Sequence, residues 1–147
     1  MARKRMIHPD FFVSATMNDL PMSAMLTFAG VWCWADDYGR GEDDAALVKA
    51  AVWPRRRAMT EKKVQTDLDA LVDAGVLCRY EVTGHALLHV TNWYEHQKVQ
   101  HPTKSKLPPC RAHEPEAWDE FMAADDPATD KYRVDSRAAH ESLRRIS

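Results

Sequence analysis

Between residues 60 and 93 the chain changes from helical to strand periodicity across one glycine, and few folds accommodate that change. From Thr60 the apolar residues Val64, Leu68, Leu71 and Val72 recur at the spacing of one helix face. Gly75 follows where a helix of this length takes a left-handed C-terminal residue. The runs 76–82 (VLCRYEV) and 86–91 (ALLHVT) are apolar and β-branched, and they flank Thr83-Gly84-His85, the pattern of a hairpin with a short glycine-containing loop. An amphipathic helix therefore leads directly into two strands.

Upstream, Leu20-Pro21-Met22-Ser23 opens a helix in which Ser23 is the expected cap, and the apolar positions Leu26, Ala29, Val31, Trp32 and Trp34 carry it to Ala35. Apolar on much of its circumference, this helix is expected to be the central, most buried one, with one of Trp32 and Trp34 in the core and the other against the hairpin or the tail. Asp36-Asp37-Tyr38-Gly39-Arg40-Gly41 reads as its cap and turn. A second helix runs from Asp43 or Asp44 to Val52, with the acids at its positive N-terminal end, and Trp53-Pro54 stops it. Pro9 rules out a continuous helix over residues 6–12, which are expected to lie extended across the domain.

Helix, helix, turn, helix, hairpin is the order of a winged helix-turn-helix. The expected fold class is mainly α with a small β-hairpin, followed by a helical or partly disordered C-terminal tail. Residues 1–95 form the winged-helix domain, 96–113 a basic, proline-containing linker, and 114–147 an acidic, helical tail with candidate helices over 114–122 and 136–146. The sequence leaves three roles open for the tail: docking on the domain, pairing two copies as a homodimer, or ordering with a partner.

At 147 residues there is room for one domain with a real core plus a tail. No apolar run approaches the ~18 residues of a membrane span, and Pro9 and Asp10 interrupt the basic N-terminus before any signal-peptide segment, so a cytoplasmic protein without membrane contact is expected. Cys33, Cys78 and Cys110 are odd in number and widely spaced, as expected for reduced thiols. Net charge is −2, but the first 107 residues carry +1 and the remainder −3. The bases cluster at Arg3-Lys4-Arg5, Arg55-Arg56-Arg57, Lys62-Lys63, and Lys98 with Lys104 and Lys106.

That clustering suits a polyanion. In a helix-turn-helix protein the third helix enters the major groove with its N-terminal residues on the base edges. On the helix beginning at Thr60, Lys62, Lys63, Gln65 and Thr66 occupy the outer face of the first turns, whereas Asp69 and Asp73 occupy the last turns, where a phosphate backbone repels them. Arg55, Arg56 and Arg57 in the preceding turn are expected near the phosphates, with Lys98, Lys104 and Lys106 as a further basic segment. Lacking Lys or Arg, the tip Thr83-Gly84-His85 is a poor minor-groove arm.

Other chemistry has less support. The acids at 36–44 do not match a calcium loop and are explained by turn and cap duty. His96, His101, Cys110 and His113 include His-x4-His and Cys-x2-His, which are zinc-compatible local spacings, but the order is not standard and prolines intervene, so no metal or cofactor is assigned. His89 reads as a surface strand residue. With no phosphate-binding glycine loop, nucleophile elbow or paired-carboxylate pattern among five glycines, no catalytic residues are assigned and no enzyme is expected.

Ala35-Asp36-Asp37-Tyr38-Gly39-Arg40, the Trp53-Pro54 helix end, residues 71–77 (LVDAGVL), Tyr80, and residues 92–97 (NWYEHQ) followed by 105–108 (SKLP) together resemble the N-terminal winged-helix domain of phage replication-initiation proteins, the replisome-organiser or DnaD-like group. The resemblance spans about residues 5–109. It implies binding of double-stranded origin DNA and recruitment of the helicase-loading machinery as a replication or host protein partner, although only a short acidic tail stands where that group often has a longer C-terminal domain. A phage-type transcriptional regulator is the alternative, as is a protein-interaction module using Asp69, Asp73 and the tail.

Overall fold

The computed structural model describes residues 2–133, so the candidate helix at 136–146 lies outside the described residues. The chain is mainly helical with a small three-stranded antiparallel sheet. In order come α1 (Asp10–Val13), α2 (Ala15–Asn18), α3 (Met22–Trp34), β1 (Arg40–Glu42), α4 (Ala45–Val52), α5 (Glu61–Asp73), β2 (Leu77–Val82), β3 (His85–Val90), α6 (Trp93–His96), α7 (Pro115–Ala123) and a 3-10 helix over Pro127–Tyr132.

α5 forms as its sequence requires. The Thr60 hydroxyl accepts from the Lys63 N–H at 3.2 Å, which satisfies one orphan donor of the first turn. Val64, Leu68 and Leu71 are fully buried on one face. At the other end Gly75 has φ +78°, and the N–H groups of Gly75 and Val76 return to the carbonyls of Val72 and Leu71. This reciprocal closure needs a residue tolerant of the left-handed region. α4 is capped by Asp44, whose carboxylate accepts from the Ala46 and Leu47 N–H groups.

α3 departs from expectation in its start and its face. Pro21 precedes its first residue and no side chain caps it. Ser23 instead donates its hydroxyl to Asp67 on α5 at 2.9 Å, and Thr27 donates to the other oxygen of that carboxylate at 2.9 Å. A buried carboxylate needs such donors more than a helix end open to water does. The buried row is Ala24, Thr27, Phe28, Val31 and Trp32, so Leu26, expected inside, is exposed. Trp32 packs edge-on against Phe11 and Phe28 in the core, while Trp34 lies over Gly41, where any Cβ would collide with its ring.

Among the short elements that the sequence reading does not anticipate are α1 and β1. Pro9 starts the one-turn helix α1, where its missing N–H has no partner to lose. Residues 40–42, expected as turn, pair as β1 with β3 in the register Arg40↔His89, Gly41↔Leu88, Glu42↔Leu87, giving the sheet order β1-β3-β2. Its three residues offer no apolar alternation to recognise.

The hairpin turn is only two residues long, Thr83 at φ +54° and Gly84 at φ +77°, the pair of positive angles that matches the twist of antiparallel strands. Side chains then alternate between two layers. Leu77, Leu88 and Val90 join the helical core, while Val82 and Leu87, with Tyr80, face a second cluster made with Leu107, Trp118, Phe121 and Tyr132. Residues 96–113, expected as a linker, follow the surface of the domain: Ser105 Oγ donates to Asp36 Oδ2 at 2.5 Å, Tyr80 Oη donates to the Pro108 carbonyl at 2.7 Å, and Pro108, Pro109 and Cys110 are buried. Contacts thus cross the boundary expected near residue 95.

Candidate nucleic-acid interface

The exposed bases of the α4–α5 turn are held by its half-buried ends. Trp53 closes α4 and its indole N–H donates to Thr27 Oγ1 at 2.9 Å, while Met59 at the far side of the turn packs on the core. Arg55, Arg56 and Arg57 lie between these anchors, all exposed. Lys62 and Lys63 follow on the first turn of α5, also exposed, and none of these five cations forms a salt bridge among the described residues. The structure therefore brings the turn and the start of α5 together as one cationic surface.

The remaining α5 candidates are partly engaged. Thr66 is exposed and its hydroxyl donates to the Lys62 carbonyl at 3.0 Å, keeping its lone pairs outward. Gln65 is half-buried and donates its amide to Asp69 Oδ1 at 3.0 Å. Asp69 also receives Arg79 Nη2 from β2 at 2.6 Å, and Arg79 Nε lies 3.0 Å from Asp43. The Gln65 amide and then the Arg79 guanidinium hold the Asp69 carboxyl below the usual carboxylate range. Its charge is thus matched locally, and Asp73 is the remaining exposed acid of the last turn.

Lys98, Lys104 and Lys106 are exposed but belong to a different place. Ser105 anchors their segment at Asp36, just past the C-terminal end of α3, whereas Trp53 anchors the arginine turn at Thr27, roughly 10 Å back along that helix. Lys104 Nζ lies 3.7 Å from Asp126. The N-terminal bases are mostly consumed as well. Arg5 donates to the carbonyls of Trp32, Ala35 and Asp36 and, with Arg3, pairs with the buried Asp37. Burial alone would raise the Asp37 carboxyl, but the Thr103 N–H and the two guanidiniums hold it below its usual range. Two residues of the hairpin tip are engaged as well: Thr83 Oγ1 donates to the Tyr132 carbonyl at 2.5 Å, and the His85 and Tyr132 rings meet edge-on with centroids 5.1 Å apart, while Gly84 and His85 stay exposed.

A second cluster lies on the opposite face of the sheet from the helices. Cys78 and His89 are directly paired across β2 and β3, and the turn at 110–113 sets Cys110 and His113 against them. One ligand atom from each of the four residues lies within 4.8 Å of the others. His89 Nε2 is 3.2 Å and Cys110 Sγ 3.4 Å from His113 Nδ1. Burial, and then the neighbouring Cys110 thiol, push the Cys78 thiol up to about 11, while burial lowers the His89 imidazole. His89, expected at the surface, is 6% exposed. His96 and His101, the residues grouped with Cys110 and His113 from spacing alone, do not join; His96 meets His8 instead. The glycine pattern predicts a three-residue turn, which sets Cys78 opposite Val90; only the observed two-residue turn places Cys78 opposite His89.

Among the described residues no helix is long and apolar enough to cross a membrane. No family model, curated protein or solved structure matches this chain.

Proposed function

We propose that this chain is a winged-helix protein that binds double-stranded DNA and acts in phage-type replication initiation or its organisation. The observation that carries the reading is the exposed cationic surface of Arg55, Arg56, Arg57, Lys62 and Lys63, without a salt bridge among the described residues, which joins a turn to the N-terminal turns of α5. This is the end of a recognition helix that meets base edges, preceded by a turn at the height of the phosphates. The Asp69–Arg79 pair supports it by reducing the repulsion expected from the middle of the helix. The hairpin tip, without Lys or Arg and with Thr83 and His85 engaged by Tyr132, directs the contact to α5 and its turn rather than to a minor-groove arm. The replication role rests on the resemblance of residues 5–109 to the replisome-organiser group, and recruitment of a replication partner rests on the same ground.

The test is a fluorescence-anisotropy titration of the full chain with duplex and single-stranded oligonucleotides over a range of salt. Binding that weakens steeply with salt, and a slope that flattens by about 0.9 for each phosphate contact removed in Arg55→Gln, Arg56→Gln and Arg57→Gln, is expected. No binding to any duplex at low salt overturns the reading. Sequencing the DNA bound in the cell separates origin sites from promoter sites, and hence the replication role from that of a regulator.

A further inference from the structure

We propose that Cys78, His89, Cys110 and His113 form a structural zinc site that fastens residues 104–133 to the sheet. Two ligands come from a cross-strand pair and two from one turn, so the centre would join elements far apart in sequence. Tetrahedral zinc, with Zn–N of about 2.0–2.1 Å and Zn–S of about 2.3 Å, sets its ligand atoms roughly 3.4 Å apart for N to N and 3.6 Å for N to S. The observed 3.2 Å between His89 Nε2 and His113 Nδ1, and 3.4 Å between His113 Nδ1 and Cys110 Sγ, fall close to those separations.

The surroundings favour ligation. His89 Nδ1 lies 3.4 Å from the Val90 carbonyl, so donation there places the proton on Nδ1 and leaves the Nε2 lone pair facing the cluster. Arg40, paired with His89 in register, bridges to Glu114 at 3.1 Å and ties the residue after His113 back to β1. A donor set of two sulfurs and two imidazole nitrogens suits zinc among common divalent metals. Binding releases one proton from each thiol, and two thiolates neutralise the dication, leaving an uncharged centre suited to a partly buried position. Four protein ligands leave no open position for substrate, so the site is structural. Its mechanical value follows from the small second cluster, in which Val82, Leu87 and Tyr132 are the buried apolar members.

The test uses the full chain purified without chelator. Elemental analysis is expected to find about one zinc per chain, and cobalt(II) added to the chelator-stripped protein should give the intense visible bands of a tetrahedral thiolate complex. His113→Gln, on the exposed turn, and Cys110→Ser should each lose stoichiometric metal, while Cys33→Ser and His101→Gln should retain it. Removing zinc from the wild type should lower its melting temperature and restore it on readdition, which keeps the inference testable should a cysteine variant fail to fold. A metal-free wild type that gives only the pale spectrum of octahedral cobalt overturns the proposal. So does a mass corresponding to a Cys78–Cys110 disulfide in freshly isolated protein, or retention of metal by both ligand variants.

Discussion

Arg79 on β2 reaches Asp69 on α5 at 2.6 Å, and this contact decides how much negative charge the outer helix face presents. Both side chains are partly exposed, so the pair contributes at most about 1 kcal/mol to stability. Its removal leaves Asp69 and Asp43 without their cation next to the proposed DNA surface. Arg79→Ala is therefore expected to weaken DNA binding several-fold with little change in melting temperature, and Asp69→Asn to strengthen it. Anisotropy titration alongside thermal unfolding checks both; an Arg79→Ala protein that binds as the wild type does removes Asp69 from the interface.

Within α5 the effects should divide by position. Lys62→Ala and Thr66→Ala are expected to change which sequences are preferred, whereas substitutions at Arg55, Arg56 and Arg57 lower affinity for all sequences alike. Because Gln65 already donates to Asp69, Gln65→Ala should alter preference less than Lys62→Ala does. Selection of bound oligonucleotides from a random pool reads the difference directly.

The buried Asp67 carboxylate links α5 to α3 through Ser23 and Thr27. Asp67→Ala removes both acceptors and leaves the Thr27 hydroxyl buried with one fewer partner, a change that should cost about 1–3 kcal/mol in denaturant unfolding. A double-mutant cycle with Thr27→Val should show coupling, since the two side chains share one network. Additive losses would mean that the hydrogen bonds contribute little to stability.

Asp37 predicts acid sensitivity with a definite sign. Its pKa is lowered on folding, so its contribution to stability is complete above the ordinary carboxylate value of about 3.9 and is lost as pH falls through the lowered native value. The wild type should lose melting temperature steeply from about pH 4 downward. Asp37→Asn, less stable at neutral pH, should show a flatter dependence over that window. Parallel slopes for the two proteins would assign the acid transition to other carboxylates.

The two tryptophans of α3 should behave unequally. Trp32, 7% exposed and enclosed by Phe11 and Phe28, is expected to cost about 3–5 kcal/mol on replacement by Ala. Trp34, half-buried over Gly41, should cost less. Equal small losses in chemical denaturation would show that α3 is not the central helix.

The elements that signal locally were legible in the sequence. Thr60 and Gly75 delimit α5 as read, Asp44 caps α4, and Trp53-Pro54 ends it, because caps and helix stops depend on nearby backbone groups. Ser23 misled because the same hydroxyl serves either a helix end or a distant carboxylate, and Asp67 lies 44 residues away. β1 was hidden because Arg40-Gly41-Glu42 takes its order from β3 rather than from its own periodicity. The cationic surface could be read because exposure of a basic run follows from composition, whereas the consumption of Arg3 and Arg5 by Asp37 could not. The Cys78–His89 pairing depended on a turn shorter by one residue than its glycine pattern suggested.

The N-terminal segment that carries Arg3 and Arg5 onto Asp37 also has a consequence for synthesis. The Gln97 side-chain amide holds both the N–H and the carbonyl of Met6 across 91 residues, and Arg3 reaches Thr103 across 100. A chain emerging from the ribosome therefore exposes its first segment long before the residues that receive it exist outside the exit tunnel. The α3–α5 core can assemble from contacts already made, but the contact of Arg3 with Thr103 forms only after Thr103 has emerged, and until then the Asp37 carboxylate lacks the Thr103 N–H. The packing of Trp118, Phe121 and Tyr132 on the sheet must come later still, so the domain is completed from its C-terminal side.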